Sequence, residues 1–103
     1  MATDIEEIVN IDKTVDKEFK EPGKYKVVLY NDDFTTMEFV VLLLITIFRH
    51  TQESAMELTH RIHVDGKAVA GIYRHEIAEQ KVVEATNLSR ANNFPLVIRA
   101  LPE

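Results

Sequence analysis

The sequence predicts an α+β fold in which a small three-stranded antiparallel or mixed sheet packs on three helices, in the order β-α-α-β-α-β. Three short runs rich in β-branched and aromatic residues alternate with stretches of helical periodicity. The connections are too short for an all-parallel sheet, so we expect the helices on one face of the sheet. A chain of 103 residues that is 46% hydrophobic is long enough for one domain with one modest core.

The N-terminal segment, residues 1–22, differs from the rest of the chain. It is rich in charge, its apolar residues are scattered, and it ends at Glu21-Pro22-Gly23. A weak helix is the alternative interpretation. We expect a flexible extension in residues 1–22 and the folded domain in residues 23–103.

An acidic turn joins the first strand to the first helix. Residues 24–30 have the composition of a strand, Asn31-Asp32-Asp33 follows as a turn, and the helix should run over about 36–49. Thr35, followed three residues later by Glu38, fits a capping box at the helix start. The helix is apolar almost all round, which indicates burial on more than one side.

The second helix and second strand follow at once. Thr51 and the acidic residue after it mark a helix start, and residues 52–62 carry apolar side chains at helical spacing. Asp65-Gly66 predicts a turn, and residues 67–73 a strand. Gly71 within that strand indicates a bulge or a close backbone approach.

The last helix and the last strand have clear boundaries. Residues 75–92 are rich in Ala and Glu and carry an apolar stripe at helical spacing. Pro95 forbids a continued helix, so residues 96–101 are predicted as the third strand.

Composition excludes several functions. The net charge of −5 argues against a nucleic-acid partner, and the absence of cysteine excludes disulfides, thiol catalysis and thiolate metal sites. The longest apolar run, residues 39–45, is far shorter than the roughly 20 residues of a membrane helix. The acidic start lacks the features of a signal or transit peptide. We therefore expect a soluble, cytoplasmic protein with no membrane association.

Catalytic and metal sites are weakly represented. His60 and His63 are three residues apart, but no His-Glu-x-x-His pattern accompanies them. Asp32 and Asp33 are adjacent on a turn, where side chains usually point apart. An acid/base enzyme that uses Asp33 and His63 stays open as an alternative. We expect neither an enzyme, nor a metal, nor a cofactor.

A binding site is the stronger reading of the acidic turn. Asn31, Asp32 and Asp33 offer acceptor oxygens at a helix start, although a solvated turn with a helix cap is the more common reason for these residue types, and only the apolar neighbours shift the balance. Apolar residues of the first helix, together with Thr59, Ile62, His63 and Leu96, could form a small cavity beside them. An amino acid with a free α-amino group would fit, because its ammonium requires acceptors and its side chain a dry cavity.

Four runs of this sequence together resemble the ClpS adaptor family, in order and with matching spacing over about residues 22–101. The first contains Asn-Asp-Asp-Phe-Thr-Thr-Met-Glu-Phe-Val after a β-like segment, and the second is His-Val-Asp-Gly-Lys-Ala-Val-Ala-Gly. The complete set comprises residues 25–40, 63–71, 76–81 and 95–96.

The resemblance implies a non-enzymatic adaptor. Such an adaptor binds proteins that begin with Leu, Phe, Tyr or Trp and passes them to the N-terminal domain of a ClpA-type AAA+ ATPase, for degradation by ClpP. Asn31 and Asp32 would bind the substrate's α-amino group, with His63 at the same rim and Asp33 and Thr35 in support. The resemblance also implies a pocket for the substrate's first side chain, formed by Met37, Val40, Thr59, Ile62 and Leu96. It further implies that Glu76 and Lys81 dock on the ATPase. Residues 1–22 match the family's hand-off extension by position.

Three departures from the family pattern matter. Thr59 stands where Met is usual, so we expect an altered preference among N-terminal residues. Thr36 replaces the usual Pro and should loosen the helix start slightly. Leu42, Ile45 and Thr46 occupy positions that are usually polar, which predicts an exposed apolar patch and self-association or an extra partner.

A peptide-interaction module without amine specificity is the alternative function.

Overall fold

The helices and strands of the computed structural model, which describes residues 23–103, follow the predicted order β-α-α-β-α-β. The predicted α+β fold class is confirmed. The prediction for residues 1–22 lies outside the described residues. The elements are β1 Lys24–Tyr30, α1 Met37–Thr46, α2 Gln52–Asp65, β2 Lys67–Arg74, α3 His75–Ala91 and β3 Val97–Pro102.

The sheet is antiparallel throughout, with β1 between β2 and β3. Val27 pairs with Gly71 and Val28 with Val69, so Ala70 is an extra residue in β2. This is a β-bulge at the place that Gly71 predicted. A side chain at Gly71 would also collide with the ring of Tyr73, whose Cζ would lie 2.7 Å from a Cβ there.

The three helices cover one face of the sheet, as predicted. Val27 and Leu29 on β1 point into a core that contains buried residues of every helix. Leu29, Leu43 and Leu44 are completely buried, and each such side chain contributes roughly 1.5–3 kcal/mol through burial. The helix residues of this core are Phe39, Val40, Leu43, Leu44, Ala55, Ile62, Ala78 and Ala85.

The start of α1 differs from the prediction. Thr36, and not Thr35, is the N-cap, because its Oγ1 accepts a hydrogen bond of 3.2 Å from the Phe39 backbone N–H. The hydroxyl of Thr35 donates to Asp32 instead. The capping box of Thr35 and Glu38 is therefore wrong. Thr36 also supplies a capping oxygen that a proline lacks, so the structure does not support a loosened helix start.

The ends of the first two helices also differ from the prediction. Helix α1 ends at Thr46, and Arg49 then adopts a left-handed backbone conformation with φ 61°. Helix α2 continues to Asp65, where Gly66 closes it at φ 90° with its N–H donating to the Ile62 carbonyl. Glycine tolerates this conformation without steric cost, which explains why the helix ends there.

The expected apolar patch on α1 is smaller than predicted. Leu42 is 54% exposed, but Ile45 is partly buried and packs against the core. Thr46 is exposed and polar. Leu42 is thus the one large apolar side chain of the three that faces solvent, and self-association through it remains a prediction.

Candidate functional site

The acidic turn is organised around the carboxylate of Asp32. Its Oδ1 accepts hydrogen bonds from the backbone N–H groups of Phe34, at 2.8 Å, and Thr35, at 2.7 Å. Its Oδ2 accepts from the Thr35 hydroxyl at 2.8 Å. Burial raises the pKa of this carboxyl, but the hydrogen bonds from Thr35 and Phe34, with the positive charge of Arg90, outweigh burial and leave the pKa below its ordinary value. Asp32 is therefore a carboxylate that holds the loop in shape.

The neighbours of Asp32 remain available. Asp33 is exposed, and within residues 23–103 its carboxylate takes part in no hydrogen bond or ion pair. The side chain of Asn31 is likewise exposed and without a partner in that range. Two groups with acceptor oxygens thus face solvent on a loop that Asp32 makes rigid.

One backbone hydrogen bond connects this loop to the end of α2. The Asn31 N–H donates to the Gly66 carbonyl at 2.9 Å, and the Gly66 N–H donates to the Ile62 carbonyl at 2.9 Å. Ile62 is buried and the adjacent His63 is exposed in the last turn of the helix. His63, three residues before Gly66, therefore lies at the same end of the fold as the acidic loop.

The predicted pocket residues occupy two different depths. Val40, Ile62 and Leu96 are buried members of the core, whereas Met37 is 46% exposed at the start of α1. Thr59 is buried, and its hydroxyl donates to the Ala55 carbonyl at 2.7 Å. Because its own helix satisfies this hydroxyl, Thr59 turns no unpaired donor toward its surroundings.

Arg90 is a contributor that the sequence did not reveal. Its Nη1 donates to the carbonyl of Phe94, at 3.0 Å, and to that of Leu96, at 2.9 Å. It fixes the segment that leads Leu96 into the core, and its charge also acts on Asp32. The one available signal was a basic residue in the last turn of a helix, which is common at helix ends for other reasons.

Phe34 belongs to the acidic turn and was not predicted as a site residue. Its ring is 75% exposed, while its backbone N–H is bound to Asp32. A large aromatic side chain exposed to solvent beside Asp33 in the chain provides an apolar contact surface on this loop. The sequence contained this residue within the acidic turn, but the exposure of its ring could not be read from the pattern.

The two predicted ATPase-docking residues have different surroundings. Glu76 is exposed in the first turn of α3. Lys81 is partly buried, because its Nζ donates to the Ile47 carbonyl at 2.8 Å and lies 5.8 Å from the centre of the Tyr73 ring. Five residues apart, the two side chains differ by about 140° around the helix. Lys81 thus has a structural role at the end of α1, which has no basic residue of its own there.

The described part of the chain contains neither a metal site nor a membrane-spanning helix. No group of three His, Asp or Glu side chains is placed to hold a metal ion among residues 23–103, and His60 and His63 are both exposed. Within the same range no helix combines the length and the apolar character that crossing a bilayer requires.

Comparisons with known proteins agree with the motifs and the fold. Residues 20–99 match the family model described as ATP-dependent Clp protease adaptor protein ClpS. A ClpS of Shewanella halifaxensis is 42% identical over 92 residues, which cover 89% of this chain and 90% of that protein. A ClpS of Desulforapulum autotrophicum is 48% identical over 82 residues, 80% of this chain and 79% of that protein.

A solved structure also resembles the described fold. Agrobacterium tumefaciens ClpS2, bound to L-phenylalaninamide, superimposes with a TM-score of 0.78 and 38% identity, covering 81% of this chain and all of that one. The family match extends over most of the chain, and so does the identity with curated relatives. The chain therefore belongs to the ClpS family of ATP-dependent Clp protease adaptor proteins and is an adaptor, not an enzyme.

Proposed function

We propose that this adaptor binds proteins whose first residue is Leu, Phe, Tyr or Trp, and that it delivers them to a ClpA-type AAA+ ATPase for degradation by ClpP in the cytoplasm. The observation that carries the proposal is the hydrogen bond from Asn31 to Gly66, which joins the acidic loop to the end of α2. It brings acceptor oxygens and buried apolar side chains to one end of the fold. The phenylalaninamide bound to the Agrobacterium relative is a ligand of the same kind, with a free amine and an aromatic side chain.

The amine would be bound by groups that the loop leaves unpaired. Asp32 already accepts three hydrogen bonds from its own loop, so little acceptor capacity remains for a ligand. Among residues 23–103 the side-chain oxygens of Asp33 and Asn31 have no partner, and His63 lies in the last turn of α2, close in sequence to the Gly66 that Asn31 binds. We therefore assign the charged contact to Asp33, with Asn31 and His63 as partners, and a supporting role to Asp32 and Thr35. An ammonium and a carboxylate form one of the stronger hydrogen bonds available to a protein.

The first side chain would enter between α1, α2 and the start of β3. Met37 stands at the solvent edge, and Val40, Ile62 and Leu96 lie behind it. Thr59 contributes a methyl group where the family usually has a longer Met side chain, while its hydroxyl is turned to Ala55. A pocket wall shortened in this way should favour larger or branched first residues more than the family does.

Delivery would use the N-terminal half of α3. Glu76 is exposed and suited to contact the ATPase's N-terminal domain. Lys81 would reach the same partner only from the side of α3 that faces α1, since its ammonium is bound to Ile47. This makes Glu76 the better candidate for a direct contact.

The test is a titration with peptides that differ only at the first residue, each with a free and an acetylated amino terminus. We expect Leu, Phe, Tyr and Trp peptides to bind and Ala or Ser peptides to bind at least tenfold more weakly. Acetylation should abolish binding, because it removes the charge that Asp33 neutralises. Equal affinity of free and acetylated peptides would instead establish the alternative, an interaction module without amine specificity.

A further inference from the structure

The face of the sheet that the helices leave uncovered has an unusual composition. On β1, the residues Lys26, Val28 and Tyr30 point away from Val27 and Leu29, which lie in the core. Residues that pair directly in an antiparallel sheet share a face. The neighbours of these three on the edge strands, which complete what we call the outer sheet face, are Lys67, Val69 and Ile72 on β2 and Val97, Arg99 and Leu101 on β3.

The centre of the outer sheet face is apolar. Val28 is 4% exposed, and around it Val69, Ile72 and Val97 are 39%, 49% and 40% exposed. Three exposed aliphatic side chains therefore surround the nearly buried Val28, on a face over which none of the three helices packs. A contiguous apolar surface of this kind on a small protein usually marks a contact site.

The charges on the outer sheet face are of one sign. Lys26, Lys67 and Arg99 lie on it, and the directly paired Lys24 and Arg74 close one end. Residues 23–103 contain nine Lys and Arg against ten Asp and Glu, so five of the nine basic residues share this face. Glu103, whose backbone N–H donates to the Lys24 carbonyl, adds an acidic residue at its margin. A positive, apolar surface in an acidic protein calls for an acidic, apolar partner.

Residues 1–22 of the same chain have that chemistry. They contain seven Asp and Glu against three Lys, and the stretch 3–12 contains four acidic and no basic residues. The same stretch carries four aliphatic side chains, those of Ile5, Ile8, Val9 and Ile11. Acidic and aliphatic residues thus alternate irregularly in one short segment, in the combination that the outer sheet face would bind.

The connection allows the contact. Residue 22 directly precedes Gly23 and the first residue of β1, the central strand. The ten residues 13–22 can span up to about 35 Å, whereas a strand of seven residues is about 23 Å long. A tethered segment also acts at an effective concentration near the millimolar range, which a free partner rarely reaches.

We propose that residues 3–12 bind the outer sheet face of their own chain, with their carboxylates near Lys26, Lys67 and Arg99 and their aliphatic side chains over Val28, Val69 and Val97. This contact lies on the side of the sheet opposite the helices that carry the candidate pocket. The adaptor can therefore hold a substrate and its own N-terminal segment at the same time. The proposal stands or fails independently of which N-terminal residue the pocket reads.

The absence of cysteine permits a direct test on the full chain. Thr3→Cys carries a nitroxide spin label, and paramagnetic broadening of backbone amides is measured by NMR. We expect amides of Val28, Val69 and Val97 to broaden several times more than those of Met56, which is exposed on α2. The triple variant K26E/K67E/R99E should lose this difference, and Arg61→Glu, a reversal of an exposed cation on α2, should keep it.

A second variant tests the same contact without changing any residue of the sheet, so a misfolded sheet cannot explain its result. Asp4→Asn with Glu6→Gln and Glu7→Gln leaves residues 23–103 unchanged and should lose the broadening as well. Uniform or absent broadening, or broadening that survives both variants, would overturn the proposal. Broadening that appears only when labelled chains are mixed with separate ¹⁵N-labelled chains would overturn it too, and would assign the face to a second copy.

Discussion

Thr35 donates two hydrogen bonds to the carboxylate of Asp32, one from its backbone N–H at 2.7 Å to Oδ1 and one from its hydroxyl at 2.8 Å to Oδ2. This pair explains why two adjacent aspartates at the same turn have different surroundings. Asp32 is bound inward by the loop, and Asp33 is left to solvent. The division of roles between them can be tested directly.

Asp33→Asn should weaken binding of a Leu-starting peptide by roughly ten- to a hundredfold, the range for loss of a charged hydrogen bond of about 1.5–3 kcal/mol. Because Asp33 is exposed and unpaired among residues 23–103, the melting temperature should barely change. Asp32→Asn should lower the melting temperature, since the amide has an NH₂ group in place of one of the two Asp32 oxygens that accept hydrogen bonds from Thr35. Isothermal calorimetry and thermal unfolding provide both measurements. Unchanged affinity in Asp33→Asn would contradict the assignment of the amine to that carboxylate.

Stability should fall in acid partly through Asp32. Its pKa in the folded chain lies below the ordinary 3.8. The Asp32 carboxylate therefore makes its full contribution to folding stability above pH 3.8, and this contribution is lost as the pH falls through the folded pKa. The difference in unfolding free energy between wild type and Asp32→Asn should therefore be constant near neutral pH and shrink below about pH 4. Urea titrations from pH 7 to pH 3 give this difference. A difference that grows toward low pH has the wrong sign for a carboxylate stabilised as an anion.

Thr59→Met should change which first residue binds best. The longer Met side chain makes the pocket smaller. A change of this size alters the difference in binding free energy between competing ligands by about 1–3 kcal/mol. Affinities for peptides that begin with Leu, Phe, Tyr, Trp, Ile and Val should be ranked in both proteins. Thr59→Val is the matched control, since it keeps the shape and removes only the bond to Ala55. The same ranking in wild type and Thr59→Met would remove Thr59 from the determinants of preference.

Arg90→Met should destabilise the fold by about 1–2 kcal/mol, because the carbonyls of Phe94 and Leu96 lose a shared charged donor. Peptide affinity should also decrease, as Leu96 is then less firmly held in the pocket wall. Arg61→Met, at an exposed position on α2, controls for the loss of a surface cation. Denaturant unfolding and peptide titration measure the two effects. An equal response of both variants would show that Arg90 acts only through net charge.

Glu76→Gln and Lys81→Met should separate docking from stability. Glu76→Gln should weaken capture by the ATPase's N-terminal domain and leave unfolding unchanged, since the side chain is exposed. Lys81→Met should lower stability by about 1 kcal/mol or more, because the Ile47 carbonyl loses its donor and α1 loses the cation at its C-terminal end. If Lys81→Met keeps full stability and loses ATPase binding alone, its contact with Ile47 has no structural importance.

The order of elements could be predicted because each boundary has a local cause. Gly66 ends α2 because glycine tolerates a left-handed backbone, Pro95 excludes a helix between α3 and β3, and Gly71 marks the bulge. The cap at the start of α1 was predicted one residue too early, because the spacing of Thr35 and Glu38 fits a capping box. The choice between Thr35 and Thr36 was decided by Asp32, whose carboxylate takes the hydroxyl of the nearer one.

The sequence could supply candidate members of the site, but not the hydrogen bonds among them. The resemblance named Asn31, Asp32 and Asp33 as a group, and only coordinates distinguish a carboxylate bound by its loop from a free one. Arg90 acts on Leu96 six residues away, and Lys81 on Ile47 thirty-four residues away. Contacts of the second kind depend on how helices pack against one another, which no local pattern contains.

The bulge at Ala70 has a consequence for how the adaptor can change over evolution. His50 lies between helices α1 and α2 and bonds the Ala70 carbonyl through Nε2 at 2.6 Å, a carbonyl left outside regular pairing by the extra residue. The helix pair is thereby attached to the sheet through a residue that is not among the candidate pocket residues. Pocket residues can then be substituted one at a time, while the bond between His50 and Ala70 keeps α1 and α2 in place on the sheet. New substrate preferences should accordingly arise by single substitutions without rebuilding the adaptor.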